Sequence, residues 1–267
     1  MPTVFFFLLL IPQLLYALEV HDAHIHYNQD MWKSFSPQQA LQALEENNIQ
    51  RAIVSSTPAE GTKKLHQLQP EKIIPFLRPY RVFRDRFTWH SDPEILKYVT
   101  DEINSGFYQG LGEFHLFREH KNTDIVKKLM ALLADKNLIA IAHSDGDTIK
   151  ALISMQPQLT IIWAHCGMKH PIEDVMRMLD NHKNLYCELS FREHFTDENG
   201  NLNPNWKILL ESHPTRFLTG MDTYIARRWA NLPEIKEHTD HWLMQVNEET
   251  RKFISQKNML RLFPITN

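Results

Sequence analysis

Alternation constrains this chain more than any other feature. Eight short apolar runs rich in β-branched residues recur along it: "LEVHDAHIH" at 18–26, "QRAIVSS" at 50–56, "KIIPFLR" at 72–78, "QGLGEFH" at 109–115, "LIAIAH" at 138–143, "LTIIWAH" at 159–165, "NLYCELS" at 184–190 and "RFLTGMD" at 216–222. Between them lie stretches with apolar residues at helical spacing, at 37–48, 92–106, 123–137, 147–156, 171–182 and 204–213. Several open with Ser, Asp or Thr, or with Pro in the first turn, as helices do. Strands alternating with helices imply parallel βα units. Eight such units over residues 19–267 match the size of a single (β/α)8 TIM barrel, about 250 residues. An open doubly wound sheet would more often carry a glycine-rich phosphate loop after its first strand; here that strand ends in His-Ile-His. No repeat or composition break divides the chain, so residues 19–267 read as one catalytic domain of the α/β class.

In such a barrel chemistry sits at the carboxyl ends of the strands. The first run ends with His24 and His26, the fourth carries Glu113 with His115 two residues on, the fifth ends with His143, the sixth with His165 and the eighth with Asp222. Residues two apart on a strand share a side, so His24 and His26 can hold one metal ion. Asp22 shares that side, deeper in the barrel, as a supporting partner. Imidazole and carboxylate suit zinc, and also manganese or iron. One His-x-His pattern is weak evidence, and a lone histidine at a strand end is ordinarily just solvated or hydrogen-bonded. The pattern's return at strand after strand makes a metal site the better reading, with His24, His26, Glu113, His143, His165 and Asp222 as its ligands. Arg78 in "FLRPYR" and Arg192 in "LSFRE" could pair with an anionic group of the substrate, or simply form salt bridges. The stretches 80–92 and 191–206 are candidate lids over the barrel mouth.

The motifs "DAHIH", "GLGEFH", "IAHSD", "WAHCG" and "TGMDTY", in that order, resemble those of the metal-dependent amidohydrolase superfamily. The closing "ISQKNMLRLF" is similar to the last helix of its amidohydrolase-related branch, with Met259 in the place of an Ala. The resemblance implies a distorted barrel with one or two divalent metals. By that pattern His24 and His26 bind the more buried ion, and Asp222 binds it too and takes a proton from the attacking water. His143 and His165 either bind a second ion or divide into a ligand and a substrate-polarising group. Many binuclear members carry a carboxylated Lys on the fourth strand; Glu113 stands there instead, similar to TatD-type nucleases and some phosphotriesterase relatives, and could bridge two ions.

The expected function is hydrolysis of an ester, lactone or amide in a small substrate, with Asp222 and His165 catalytic. The rivals are a metal-dependent decarboxylase on the same frame, a TatD-like phosphodiesterase, and a metal-binding protein without catalysis. A formal net charge of −3 gives no broad basic face, so no nucleic-acid partner is expected. The sequence carries no signature of oligomerisation either way.

The stretch 4–18 is apolar apart from Gln13 and Tyr16. It is interrupted by Pro12 and short of the roughly 20 residues a membrane span takes. It reads as an export signal over 1–18, with Ala17 as the small residue before a cleavage point. Against this, no Lys or Arg precedes the run, and Leu15 is not small. An exported protein, periplasmic or secreted, is the expectation; an uncleaved membrane anchor or a cytoplasmic chain are the alternatives. No second spanning segment follows. Cys166 and Cys187 are too few for a disulfide framework and read as two buried thiols, with a bridge between neighbouring strands as the other possibility.

Overall fold

A computed structural model describes residues 17–265. Its eight strands are β1 (Val20–Ile25), β2 (Ile49–Ser56), β3 (Ile73–Leu77), β4 (Gly110–His115), β5 (Ile139–His143), β6 (Ile161–Trp163), β7 (Leu185–Glu188) and β8 (Phe217–Leu218). They pair in sequence order and all in parallel. The last strand returns to the first: Ala23 N donates to Thr219 O at 2.8 Å and Asp222 N to His24 O at 2.7 Å. The result is the expected (β/α)8 barrel.

The helices are α1 (Pro37–Glu46), α2 (Glu60–Leu68), α3 (Pro93–Asn104), α4 (Asp124–Asp135), α5 (Gly146–Met155), α6 (Ile172–Asn181), α7 (Pro204–Ser212), α8 (Ala226–Ala230), α9 (Leu232–Leu243), α10 (Glu248–Lys252) and α11 (Asn258–Leu262), with one π-turn at Phe253–Lys257. Their starts follow from local chemistry. Ser36 and Gln39 form a capping box before α1, and the side chains of Asp92, Thr123 and Asp145 accept from the first turns of α3, α4 and α5. Each such cap contributes about 1 kcal/mol. Pro37, Pro93 and Pro204 occupy first-turn positions, where no amide partner is lost.

Strand alternation sorts the core into two layers. Ala52, Val54, Ala140, Ala142, Leu185 and Cys187 face out and pack under the helices. Ile53, Ile74, Phe76, Ile141, Ile162, Tyr186 and Leu218 face in and fill the barrel. The floor is closed by Met259 and Phe263, both buried, with the Phe263 ring edge-on to Phe76. Asn258, fully buried, donates to Pro214 O and Phe217 O, each at 2.8 Å, and so ties this plug to β8. That is what the closing "NMLRLF" does in the fold.

Three features depart from expectation. Helices α2 and α9 are not among the expected helical stretches: α2 buries Gly61 and Thr62 beside Leu65, and α9 buries the polar Lys236 and Thr239 among Leu232, Trp242 and Leu243. Strands β6 and β8 are shorter than their apolar runs, so His165 and Asp222 sit in the turns that follow. And Cys166 and Cys187 are joined by a disulfide rather than free, because the turn after β6 carries Cys166 onto the neighbouring strand. Among the described residues no helix is long and apolar enough to cross a membrane. The proposed signal, apart from its last two residues, lies outside the described residues.

Candidate active site

Five of the six predicted ligands are buried, and His143 is half-buried. All meet at the carboxyl rim. His24 and His26 turn their Nε2 atoms to within 3.1 Å of each other. Glu113 Oε2 lies 3.7 and 3.4 Å from those nitrogens, and Asp222 Oδ1 lies 3.7 and 3.5 Å from them. Four donors around one ion at zinc-ligand distances of about 2.0–2.2 Å stand roughly 3.4 Å apart at tetrahedral angles. The observed separations fit that spacing. The other oxygen of Glu113 faces the opposite way, with Oε1 2.8 Å from His143 Nδ1 and 3.4 Å from His165 Nε2. Asp222 Oδ2 approaches His165 Nε2 at 4.0 Å. Glu113 thus faces a second pair of imidazole nitrogens, from His143 and His165, with its other oxygen.

The backbone that presents these groups is held under local strain. His165, Cys166 and Met168 after β6, Phe191 and His194 after β7, and Asp222 after β8 all have positive φ. Each such non-glycine residue costs on the order of 1–3 kcal/mol, and such positions cluster at functional sites. Asp222 is fixed on both sides: its N–H donates to His24 O, and its carbonyl accepts from Arg228 Nε at 2.7 Å.

Electrostatics favour a cation. Three carboxylates of the site, those of Glu113, Glu188 and Asp222, lie within 4.0 Å of its imidazole nitrogens, and among the described residues Arg78 is the one guanidinium bonded to them. Burial opposes charge on His24, but Asp222, Glu188 and Glu113 outweigh it and push its pKa well up. Burial likewise opposes charge on Glu113, yet His24, His143 and His165 hold its carboxyl well below the usual range. His26 is pushed down by burial and by Arg78. A cation among these carboxylates would answer the field that otherwise draws protons onto the rings. The donor set of imidazoles and carboxylates suits zinc, manganese or iron.

Glu188, the last residue of β7, escaped the sequence reading. Its Oε2 lies 2.8 Å from His24 Nδ1. The one available signal was an acid closing an otherwise apolar strand in "NLYCELS". Asp22 takes a different part from the one expected. It is buried beneath His24, but Oδ1 accepts from the amides of His24 (2.9 Å) and Met221 (3.1 Å), so it braces the β1–β8 seam rather than a ring. Burial pushes its pKa up to about 8. His115 stacks on His143 at 4.4 Å and is pushed down to about 3 by burial.

The site opens into a cavity of about 820 Å³. Its walls include Arg78, Arg81 and Arg86, with Phe83, Phe191 and Tyr224 at the rim. Both candidate lids contribute, through 81–86 and through Phe191. Arg78 is on this wall and also anchors Glu113, with Nε 3.0 Å from its carbonyl and a terminal nitrogen 3.4 Å from Oε2. Arg192 is not at this mouth. The left-handed turn at Phe191 sends the Phe191 ring into the cavity and Arg192 away from it, to the His170 carbonyl and the face of Trp206. It lines a second cavity of about 520 Å³ beneath the 191–206 segment.

The family profile described as Amidohydrolase matches residues 106–265. No curated protein matches the chain. The fold is similar to that of several solved structures. An amidohydrolase from Burkholderia multivorans with bound zinc is 11% identical, with a TM-score of 0.60 over 93% of this chain and 100% of that one. A Pseudomonas putida protein provisionally named 2-pyrone-4,6-dicarboxylic acid hydrolase is 15% identical, with a TM-score of 0.62 over 92% and 97%. A TatD family hydrolase from Entamoeba histolytica is 12% identical, with a TM-score of 0.55 over 92% and 100%.

Proposed function

This chain belongs to the amidohydrolase family, and from that premise we propose that it hydrolyses an ester, lactone or amide bond of a small, anionic substrate. One observation carries the reading: the two oxygens of Glu113 divide four imidazoles from three barrel segments into two groups at the floor of one cavity. We assign His24, His26, Glu113 and Asp222 to one divalent ion, and Glu113, His143 and His165 to a second.

A divalent ion held there supplies a Lewis acid and lowers the pKa of bound water toward about 7. The rest falls to the chain. Asp222 takes the proton of the attacking water at its carboxylate and returns it to the leaving group. His165, packed between Glu113 and Phe191 with its Nδ1 held by Ser190, has Nε2 alone to offer: it is a ligand where two ions are bound and orients the scissile carbonyl where one is. Arg78 and Arg81 on the cavity wall draw in an anionic group. Phe83, Phe191 and Tyr224 keep water from the apolar part of the substrate. The Pseudomonas putida neighbour is named for hydrolysis of a dicarboxylated pyrone, which accords with a lactone carrying carboxylates.

The test is to strip the protein with a chelator, restore zinc, manganese or iron in turn, and assay lactones, esters, amides and phosphodiesters. Loss and recovery of lactone, ester or amide cleavage is expected. Cleavage of phosphodiesters alone would move the assignment to the TatD-like activity. The arginines on the wall also favour a second reading, decarboxylation, and carbon dioxide release without ring opening would select it.

We further propose export. The Cys166–Cys187 bond suits an oxidising compartment. Leu18 N lies 3.2 Å from Asp240 Oδ2, so a chain cut after Ala17 offers its new ammonium to an acid. Mass determination of the mature N-terminus checks this; an intact Met1 in the exported fraction, or a chain found only in the cytoplasm, overturns it.

A further inference from the structure

We propose that Glu188 is the positioning residue of the His24 imidazole, fixing which ring nitrogen faces the metal and strengthening it as a donor; this rests on the metal site assigned above. Three rings point Nε2 into the site, and each has its Nδ1 engaged behind it. His26 Nδ1 lies 2.6 Å from Ser55 O, and His165 Nδ1 lies 3.0 Å from both Ser190 O and Ser190 Oγ. Of the three, His24 alone hydrogen-bonds a carboxylate there, at 2.8 Å; the same Glu188 oxygen stands 3.6 Å from His165 Nδ1, too far for a hydrogen bond. A carboxylate with no proton of its own can only accept, so Nδ1 of His24 carries the hydrogen and Nε2 keeps its lone pair for the ion. The bond is charge-assisted, roughly twice as strong as a neutral one.

The carboxylate is itself fixed. Glu188 is fully buried. Its Oε1 accepts from Ser190 N at 2.5 Å, and its Oε2 also accepts from His165 N at 3.2 Å. It therefore references His24 on β1 to the turn that carries His165. The passage of the chain after β8 leaves no spare room: a Cβ on Gly220 would stand 2.0 Å from Oε1. Gly220, in "LTGMD", is glycine because this carboxylate occupies the space a side chain would need. Glu188 does not line the cavity. It lies behind the rings, on the Nδ1 side, where it cannot join the ion held by Nε2 of His24. It touches neither substrate nor reacting atoms, and its influence runs through the ring.

The experiment compares zinc affinity of the wild type and Glu188→Gln by competition with a chromogenic chelator, alongside KM and kcat. The amide keeps the shape and loses the charge. Zinc is expected to bind 10- to 100-fold more weakly, with KM at saturating zinc unchanged. Equal affinity in the two proteins overturns the proposal alone. A wild type that binds no divalent ion overturns the metal reading and this proposal with it. Should the variant not fold, the wild type decides the matter. In long-range 15N–1H spectra of the zinc-loaded protein, the His24 Nδ1 proton is expected downfield of those of His26 and His165, whose hydrogen-bond partners are neutral oxygens of Ser55 and Ser190. Three coincident proton shifts would refute the carboxylate's special role.

Discussion

Glu113 Oε1 on β4 lies 2.8 Å from Nδ1 of His143 at the end of the adjacent β5, while Oε2 of the same carboxylate faces His24 and His26. One side chain thus joins both donor groups. Its own backbone is anchored independently: Glu113 N donates to Ser55 Oγ at 3.1 Å and its carbonyl accepts from Arg78. Glu113→Gln should therefore fold, yet it removes a charged donor from each group. Metal analysis after dialysis is expected to find at least one ion fewer per chain than in the wild type, with turnover lower by 100-fold or more. Full metal content in the variant would refute the bridging role.

Asp222→Asn tests the proton acceptor. Asn tolerates a left-handed backbone well, so φ +46° at this position is no obstacle to the variant. Both backbone bonds of Asp222, to His24 and Arg228, are untouched by the change. The variant should melt close to the wild type and lose 10²- to 10⁴-fold in turnover, the usual worth of a positioned acid–base group. Wild-type turnover in a folded Asp222→Asn protein would remove Asp222 from the mechanism.

The barrel was legible because short apolar runs alternate with helical stretches along most of the chain, and the rim because the polar residues that close those runs lie at the strand ends or, like His165 and Asp222, in the turn just after them. What escaped had physical causes. Glu188 is an ionisable residue in a short strand whose partner comes from β1, 164 positions away in the chain; pairing of that kind leaves no local trace. Arg192 was aimed wrongly because a single left-handed residue, Phe191, reverses which side chain enters the cavity. Asp22 was placed on the correct face, but its partners are backbone amides, which the sequence does not display. Helix α2 hid because small residues, Gly61 and Thr62, make its buried face.

His21 gives a pH prediction away from the catalytic rim. It is buried on β1 near Arg51, and burial first, then the Arg51 charge, push its pKa from 6.5 down to about 4. Above pH 6.5 the ring is neutral folded or unfolded, and its contribution is fully present. As pH falls from 6.5 toward 4 the unfolded chain takes up a proton that the folded one refuses, so stability is lost over that window and levels off below it. At about 1.4 kcal/mol per pKa unit, the loss is roughly 3 kcal/mol. Denaturant unfolding of chelator-treated protein at pH 7, 5.5 and 4 should show His21→Gln losing less stability than the wild type across this window. Parallel pH profiles for the two proteins would show that His21 does not control it.

The Cys166–Cys187 bond closes a loop spanning a sequence separation of 21. Cys166 follows His165 directly, and Cys187 precedes Glu188 directly, so the crosslink spans the same β6–β7 step that sets the positions of both groups. A loop of this length restricts the unfolded chain by about 3 kcal/mol in the chain-entropy account. Both sulfur atoms are in fully buried residues, so a dithiol reductant should act slowly on the native protein and quickly in denaturant. The double variant Cys166→Ala, Cys187→Ala is expected to unfold about 3 kcal/mol more easily. It should also hold zinc less tightly, since His165 and Glu188 lose their shared tether. A variant with wild-type stability and wild-type zinc affinity would mean that hydrogen bonds alone, those of Glu188 to His165 N and Ser190 N, fix this side of the site.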